Sequence, residues 1–514
     1  MKFKKIAAFS LLALMAGMSL ASCQSSEDIT YNSGFIKEKT TIDLWTIVGA
    51  NNQTQLNNYI EKFKKLEPNV KINNVKETGL NYNQLAKKAA DGFSTNYYPD
   101  LIQAYPDAVS DFMYYKKVVK LDPYMDNHQE YSGKELAGDY KDSKYEDDET
   151  YTIGWSKEEK ADIVSEFLAE GQKYVIDGTY SVPFSKSTEA MFYNRELLGK
   201  TIPGINNGDG LTEEYFNNLT WEELFENFCP KFIEWNDAQP EGSKLLKSNE
   251  DYHAVFAYDS DDNLFITLGE QYGIPYTSMD KTSGKGKALF NNAEYKALLK
   301  KWNEYAKKGY IISKGSAGNN YTNEYFTARN TLFSVGSTGG VGYQFSAKNP
   351  MDVGVARIPQ PAAAVNKTGE KEKIAAINQG PSLCILDHGD ENRKLASWLF
   401  YKFMTNEENA LDWAINSGYC GIRTSVLNSE EYKDSCDESR YETKTLDKLM
   451  ARNGRYIPTV ADILYTSPTF KGSSECRNQA GGIMTYVLST KDMTDDALNK
   501  KFDEAIAVCN QQIG

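Results

Sequence analysis

Between Ser181 and Leu197 the chain reads SVPFSKSTEAMFYNREL, with five small or polar side chains, Ser185, Lys186, Ser187, Thr188 and Glu189, directly ahead of an apolar run. Short hydroxyls and a carboxylate in that position offer hydrogen-bond donors and acceptors at the start of a buried strand, or else they form a turn that touches nothing. A second polar cluster, DSDDNLFITLGE, sets Asp259, Asp261, Asn263 and Glu270 at positions 1, 3, 5 and 12 of a calcium loop. Position 6 is Leu264, where such a loop needs glycine for its turn. An acid-capped helix start is the competing reading, and a third has Asp262 and Asn263 facing a ligand. The three histidines, His128, His253 and His388, lie too far apart for a zinc site or a Ser/His/Asp site to be expected. No Lys-Ser or Lys-Thr follows the glycines of GSTGG, so they do not form a phosphate loop. Nothing marks a pair of acids for glycoside hydrolysis. Neither an enzyme nor a metal or cofactor is expected.

Such groups need elements to carry them, and from Thr41 the apolar pattern alternates between strand and helix. Ile42 and Leu44 lead into Trp45; Leu56, Tyr59, Ile60, Phe63 and Leu66 then recur at helical spacing up to Pro68. Val70, Ile72 and Val75 spell a strand, Leu85 to Ala90 a helix, and PDLIQAY a third strand. The βαβαβ order predicts a parallel sheet with right-handed crossovers. Ligands of such sheets sit at the carboxyl ends of the strands, which points to the residues after Trp45 and to Tyr105 and Asp107. Further on, Thr220-Trp221-Glu222-Glu223 spells a capping box, and Leu264–Tyr272, Tyr295–Lys308 and NRKLASWLFYKFM read as helices. The acidic stretch from Glu130 to Gly171 carries only a weak helical signal and reads as a surface insertion.

At 514 residues the chain suits two lobes. A net charge of -14 opposes nucleic-acid binding, which needs clustered Lys and Arg. Aromatic content is high, with 34 Tyr, 23 Phe and 7 Trp; tyrosine combines a flat apolar ring with a polar tip and suits a surface that holds something both greasy and hydroxylated. Lys2, Lys4 and Lys5 precede an uncharged stretch ending in Leu20-Ala21-Ser22-Cys23, an export signal over residues 1–22. Cys23 resembles the lipobox cysteine of bacterial lipoproteins, which would place the protein at the cell membrane, facing the extracellular side or the periplasm, on a polar tether over 23–40. Six cysteines remain. Cys509 sits at helical spacing with Leu498, Phe502 and Ile506 and is expected to be buried. Cys436 and Cys476 are candidates for a disulfide in an oxidising compartment.

The order of IDLWTIVGANNQ, PDLIQAYPDAVSDF, VPFSKSTEAMFYNREL, TWEELFE, GSTGG, INQGPSLCIL and INSGYCGIRTS resembles the extracellular solute-binding proteins of ABC importers, and within them the carbohydrate-binding cluster that includes maltose-binding protein. The resemblance spans nearly all of the chain after Cys23. It implies a two-lobe, class II periplasmic-binding-protein-like α/β fold with a ligand cleft between lobes joined by two or three crossing segments. The lobes would take 41–182 plus 375–425, and 183–374 plus 426–514. It also implies the site: Ser187, Thr188 and Glu189 at the first crossing, Trp45 and Asn51, Asn52 and Gln53 after the first strand, and Tyr105 and Asp107 after the third. Asp262, Asn263, Ser337, Thr338, Gly339, Gln379, Tyr419 and Arg423 complete it. Cys420 and Gly421 stand where the family more often has leucine and proline. A monomer is expected, with a sugar as ligand, an ABC permease as partner and no chemistry performed. A receptor for a peptide, polyamine or glycerol phosphate, or a glycan-degrading enzyme, is the alternative.

Overall fold

In the strand Thr40–Thr46, Ile42 and Leu44 are buried in one apolar cluster and Trp45 in another on the opposite face of the pleat, so both faces must be covered. Helix Ala50–Phe63 does this on one side with Leu56, Tyr59 and Phe63, three to four residues apart. The computed structural model describes residues 33–77, 79–246, 254–368 and 371–514. The expected signal 1–22, Cys23, the tether up to residue 32, and His253 lie outside the described residues. The rest of the expected tether is not free chain: Ile36 is fully buried, Phe35 sits edge-on to Tyr131 at 5.1 Å, and Glu67 accepts the Phe35 and Ile36 N–H groups at 2.7 and 3.0 Å.

The first sheet runs Val70–Lys76, Thr40–Thr46, Leu101–Ala104, Ser382–Ile385, Val182–Pro183. The first three strands are parallel as expected. Ser382–Ile385 runs antiparallel to both its neighbours, Leu101–Ala104 and Val182–Pro183, so the sheet is mixed. The second sheet runs Ile311–Ser313, Phe256–Tyr258, Phe333–Ser337, Ser187–Asn194, Ala376–Gln379, Leu464–Tyr465, and Val353–Ala356 also pairs with Ser187–Asn194. Its core is aromatic: Trp221 meets Trp302 edge-on at 5.0 Å and Phe225 stacks on Tyr305 at 4.7 Å. Thr220 caps the Trp221 helix by accepting the Glu223 N–H at 3.0 Å.

Two expectations about packing are corrected. The acidic stretch from Glu130 to Gly171 is not merely a surface insertion: its hairpin, Glu130–Ser132 with Thr150–Thr152, leads into Trp155, fully buried against Trp398 at 5.1 Å, and its helix Ser165–Glu170 buries Phe167. The Cys436–Cys476 disulfide is absent. Cys436 lies beside Gly454, whereas Cys476 is buried against Cys509, and both are free thiols.

Both sheets contribute to the crossing between lobes. The chain leaves the first sheet at Pro183 and enters the second at Ser187; it returns from Gln379 to Ser382. The lobe boundary therefore falls at Gly380–Pro381 rather than at 375. The later boundary moves as well, because helices Thr424–Asn428 and Glu430–Ser435 pack on the first lobe's Glu407–Ser417 through Val426, Tyr432, Ala410 and Ala414. Gly380 must be glycine: its φ is +83°, and a Cβ there would lie 1.9 Å from the Ser185 carbonyl oxygen. Between the two strands the ammonium of Lys186 donates to Glu170 at 2.6 Å and to the Gly380 carbonyl at 3.0 Å. Glu170 also accepts from Asn378 at 3.0 Å and Ser382 at 3.2 Å. A third segment joins them where the Cys420 N–H donates to the Lys186 carbonyl at 2.7 Å.

Lys186 and Glu170 are 1% and 2% exposed, so removing one charge strands the other. Lys186→Met is expected to lower the unfolding free energy by about 3–5 kcal/mol, and Lys186→Met with Glu170→Leu to recover most of that, read from urea midpoints.

Candidate functional site

The carboxyl ends of the first-lobe strands, the crossing strands and two second-lobe helices bring their side chains into one contact network between the lobes, the candidate ligand groove. Tyr105 directly precedes helix Pro106–Tyr114, which places Asp107 in its first turn with a buried side chain. Across the groove, Asp262 and Asn263 occupy the first turn of helix Asp261–Gln271. Between them reaches Arg477 from helix Ser473–Ser489. Its Nε donates to Asp107 at 3.1 Å, and its Nη1 donates to Asp262 at 3.0 Å and to the Asn263 side-chain Oδ1 at 2.7 Å. The guanidinium carbon lies 6.0 Å from the Tyr105 ring centre. Burial opposes its charge, but Asp107 and Asp262 outweigh burial and raise its pKa.

Asn263 carries this network inward by donating to Glu189 at 3.1 Å; Gln379 donates to the same carboxyl oxygen at 3.3 Å, and the Tyr258 hydroxyl donates to the other. Glu189 is 1% exposed. Burial pushes its carboxyl up to about 8, with the Tyr258 and Asn263 hydrogen bonds offsetting part of the rise. Glu189 is therefore protonated at neutral pH. Gln379 is 7% exposed, and its Oε1 has no hydrogen-bond partner among the described residues. An unmet acceptor of that kind costs about 1–3 kcal/mol unless a donor reaches it.

Aromatic faces line the same groove. Tyr82 meets Tyr105 edge-on at 5.2 Å and shares a hydrogen bond with the Tyr419 hydroxyl, and Tyr419 stacks on Trp413 at 5.9 Å. Gly339 admits this ring, because a Cβ there would come within 2.3 Å of it. Burial raises the pKa of all three tyrosines, so their hydroxyls stay neutral.

Several expected groups are turned to the hinge. The Ser337 hydroxyl donates to Ser187 at 3.1 Å, the Thr188 N–H to Thr338 at 3.2 Å and the Thr188 hydroxyl to the Ile377 carbonyl at 2.9 Å. Asn52 donates to the Ser417 carbonyl at 3.4 Å and Gln53 accepts from Thr46 at 3.1 Å, both within the first lobe. Asn51 is exposed in the first turn of its helix. Two expectations fail outright. Trp45 is 3% exposed in the first-lobe core, with the Lys88 ammonium 4.8 Å over its ring; it sits on the pleat face opposite to Leu44, under the neighbouring helix. Arg423 is 3% exposed and tied to Asp162 at 3.1 Å, the Glu159 carbonyl at 3.3 Å and the Thr405 carbonyl at 2.5 Å. It clamps the insertion to the first lobe.

The calcium reading fails on direction. Asp259 accepts from the Thr322 N–H and Asp261 from the Gly315 N–H, while Asn263 faces Glu189 and Glu270 pairs with Lys373. No group of three or more His, Cys, Asp or Glu able to hold a metal exists among the described residues. Arg477 and Tyr82 were not anticipated. For Arg477 the available signal was a cation just beyond the first turn of a helix, near the end whose dipole disfavours it.

A family model described as bacterial extracellular solute-binding protein matches residues 58–437. No curated protein matches the sequence. Among solved structures, UgpB from Mycobacterium tuberculosis in complex with glycerophosphocholine is similar at TM-score 0.62 and 16% identity, covering 92% of this chain and 100% of that one. The maltose/maltodextrin-binding domain MalE from Bdellovibrio bacteriovorus bound to maltotriose has TM-score 0.59 and 14% identity, with 92% and 100% covered. An ABC substrate-binding protein from Listeria monocytogenes in complex with cycloalternan has TM-score 0.63 and 13% identity, again with 92% and 100% covered.

The Glu189 shift gives a pH test with a definite sign. Its folded pKa of about 8 exceeds the ordinary 4.5, so the folded state keeps a proton that the unfolded state releases. Its contribution is full below the lower value and lost as pH rises through the upper one. Urea midpoints of the wild type are expected to fall across that window relative to Glu189→Gln, whose curve lacks this component.

Proposed function

Because the chain belongs to the bacterial extracellular solute-binding proteins, we propose that it is a receptor that captures a neutral sugar or oligosaccharide in the groove and delivers it to an ABC permease. The supporting observation is the pairing of surfaces. Tyr82, Tyr105 and Tyr419 offer flat rings, while Gln379 Oε1, Asp107, Asp262 and Arg477 offer acceptors and donors from both lobes. Pyranose rings have apolar CH faces that pack on aromatic rings and hydroxyl rims that both donate and accept. Ligand contacts to both lobes stabilise the closed arrangement, and no bond is made or broken. A glycerophosphodiester, as held by the mycobacterial relative, would have to displace two carboxylates from Arg477, which favours the sugar. The protein acts as a monomer on a lipid attached to Cys23.

A thermal-shift screen of mono- and oligosaccharides is expected to return a ligand that adds about 2.7 kcal/mol at 100 times its dissociation constant, with no new reducing ends after prolonged incubation. In calorimetry, Tyr419→Ala or Gln379→Ala should weaken that ligand about tenfold or more; affinity unchanged in both variants would remove the groove as the site. In the producing cell, Cys23→Ala is expected to move the protein from the membrane fraction to the soluble one.

A further inference from the structure

Arg477 stands where the groove meets a seam between the lobes. Along that seam, helix Pro106–Tyr114 of the first lobe faces the start of helix Ser473–Ser489 of the second. Asp111 accepts the Gly472 N–H at 2.9 Å, and the Lys471 ammonium lies 4.3 Å over the Tyr114 ring. At its inner end one guanidinium faces two carboxylates, Asp107 from the first lobe and Asp262 from the second, at 3.1 and 3.0 Å. The cluster therefore carries a net negative charge, and protonated Glu189 adds none. Arg477 Nη2 donates to no protein group among the described residues.

We infer that Arg477 determines the specificity of the groove: it fastens the lobes through Asp107 and holds Asp107 and Asp262 as ordered acceptors for neighbouring hydroxyls of an uncharged sugar, at the expense of sugar acids. The physical reason is that a carboxylate bound by a fixed guanidinium keeps free lone pairs in a set direction, ready for hydroxyl donors. Nη2 adds donors of its own. An anionic ligand meets two like charges whose counterion is already shared between them, so it gains little from Arg477 and is repelled by its partners. The selectivity rests on the sugar-receptor reading; the fastening of the lobes does not.

The test uses the purified protein with Arg477→Met, Arg477→Lys, Asp107→Asn, and Asp107→Asn with Asp262→Asn. X-ray scattering without added sugar is expected to show a larger radius of gyration for Arg477→Met than for the wild type. Asp107→Asn, which leaves Arg477 with Asp262, should shift the same way and guards against a folding defect of the first variant. Identical radii for all variants would overturn the fastening. For selectivity, calorimetry compares a neutral oligosaccharide retained in the screen with the same molecule oxidised at one C6 to a uronate. Wild type should prefer the neutral form at least tenfold, and Arg477→Met should bind it about thirtyfold more weakly, with partial rescue by Arg477→Lys. The double Asn variant should narrow or reverse the preference. An unchanged ratio in that variant would overturn the selectivity. A wild type that binds no sugar would overturn the receptor reading and the selectivity with it, leaving scattering to decide the fastening.

Discussion

Lys186 is a charged side chain sealed from water at 1% exposure, and both the outgoing strand at Ser187 and the returning strand at Gln379 run past it. Its ammonium needs Glu170, which comes from the first lobe's insertion, and the Gly380 carbonyl on the returning strand. Its own carbonyl takes the N–H of Cys420 on the third segment. A buried ion pair of this kind adds little net stability, since desolvation offsets much of the attraction. Its effect is on register: any sliding of one segment past another would leave a buried charge unmatched. The lobes can therefore pivot about this point without losing alignment. Three residues on, Glu189 accepts from Asn263, Gln379 and Tyr258, so the pivot and the polar network lie on one continuous strand.

That continuity has an energetic meaning. Thr188 and Ser187 are engaged by Thr338 and Ser337, which holds this strand to the second lobe. From the first lobe, Asp107 and Asp111 reach across to Arg477 and the Gly472 N–H of the second. A solute that bridges Asp107 and the second-lobe groups is favoured by the closed form for its differential contacts alone. The tyrosines contribute in a less directional way, because ring faces tolerate small changes in orientation better than hydrogen bonds do.

The strand and helix alternation of the first lobe was legible because its apolar residues keep strict periods, as in Leu56, Tyr59 and Phe63. The core role of the insertion was not, because Leu136, Trp155 and Phe167 are sparse and follow no period; only their tertiary partners make them a core. Trp45 shows how little separates success from failure at a strand end: strand parity is two, so a neighbouring position faces the opposite way. Tyr105, Asp107, Asp262, Asn263, Gln379 and Tyr419 come together in one network of contacts through Arg477, Glu189 and Tyr82. Arg423 reaches no groove because Asp162, in the segment read as surface, draws it away. Arg477 was hard to read for the converse reason, since its place depends on where a helix more than four hundred residues downstream of the first strand packs.

The docking of Phe35 and Ile36 onto the first lobe has a mechanical corollary. Ten peptide steps separate Cys23 from Ser33, the first described residue, a reach of at most about 36 Å when fully drawn out. On the lipid proposed for Cys23, the first lobe would be leashed within that reach of the bilayer. A tether that short would restrict the attitudes in which the proposed receptor meets a membrane neighbour.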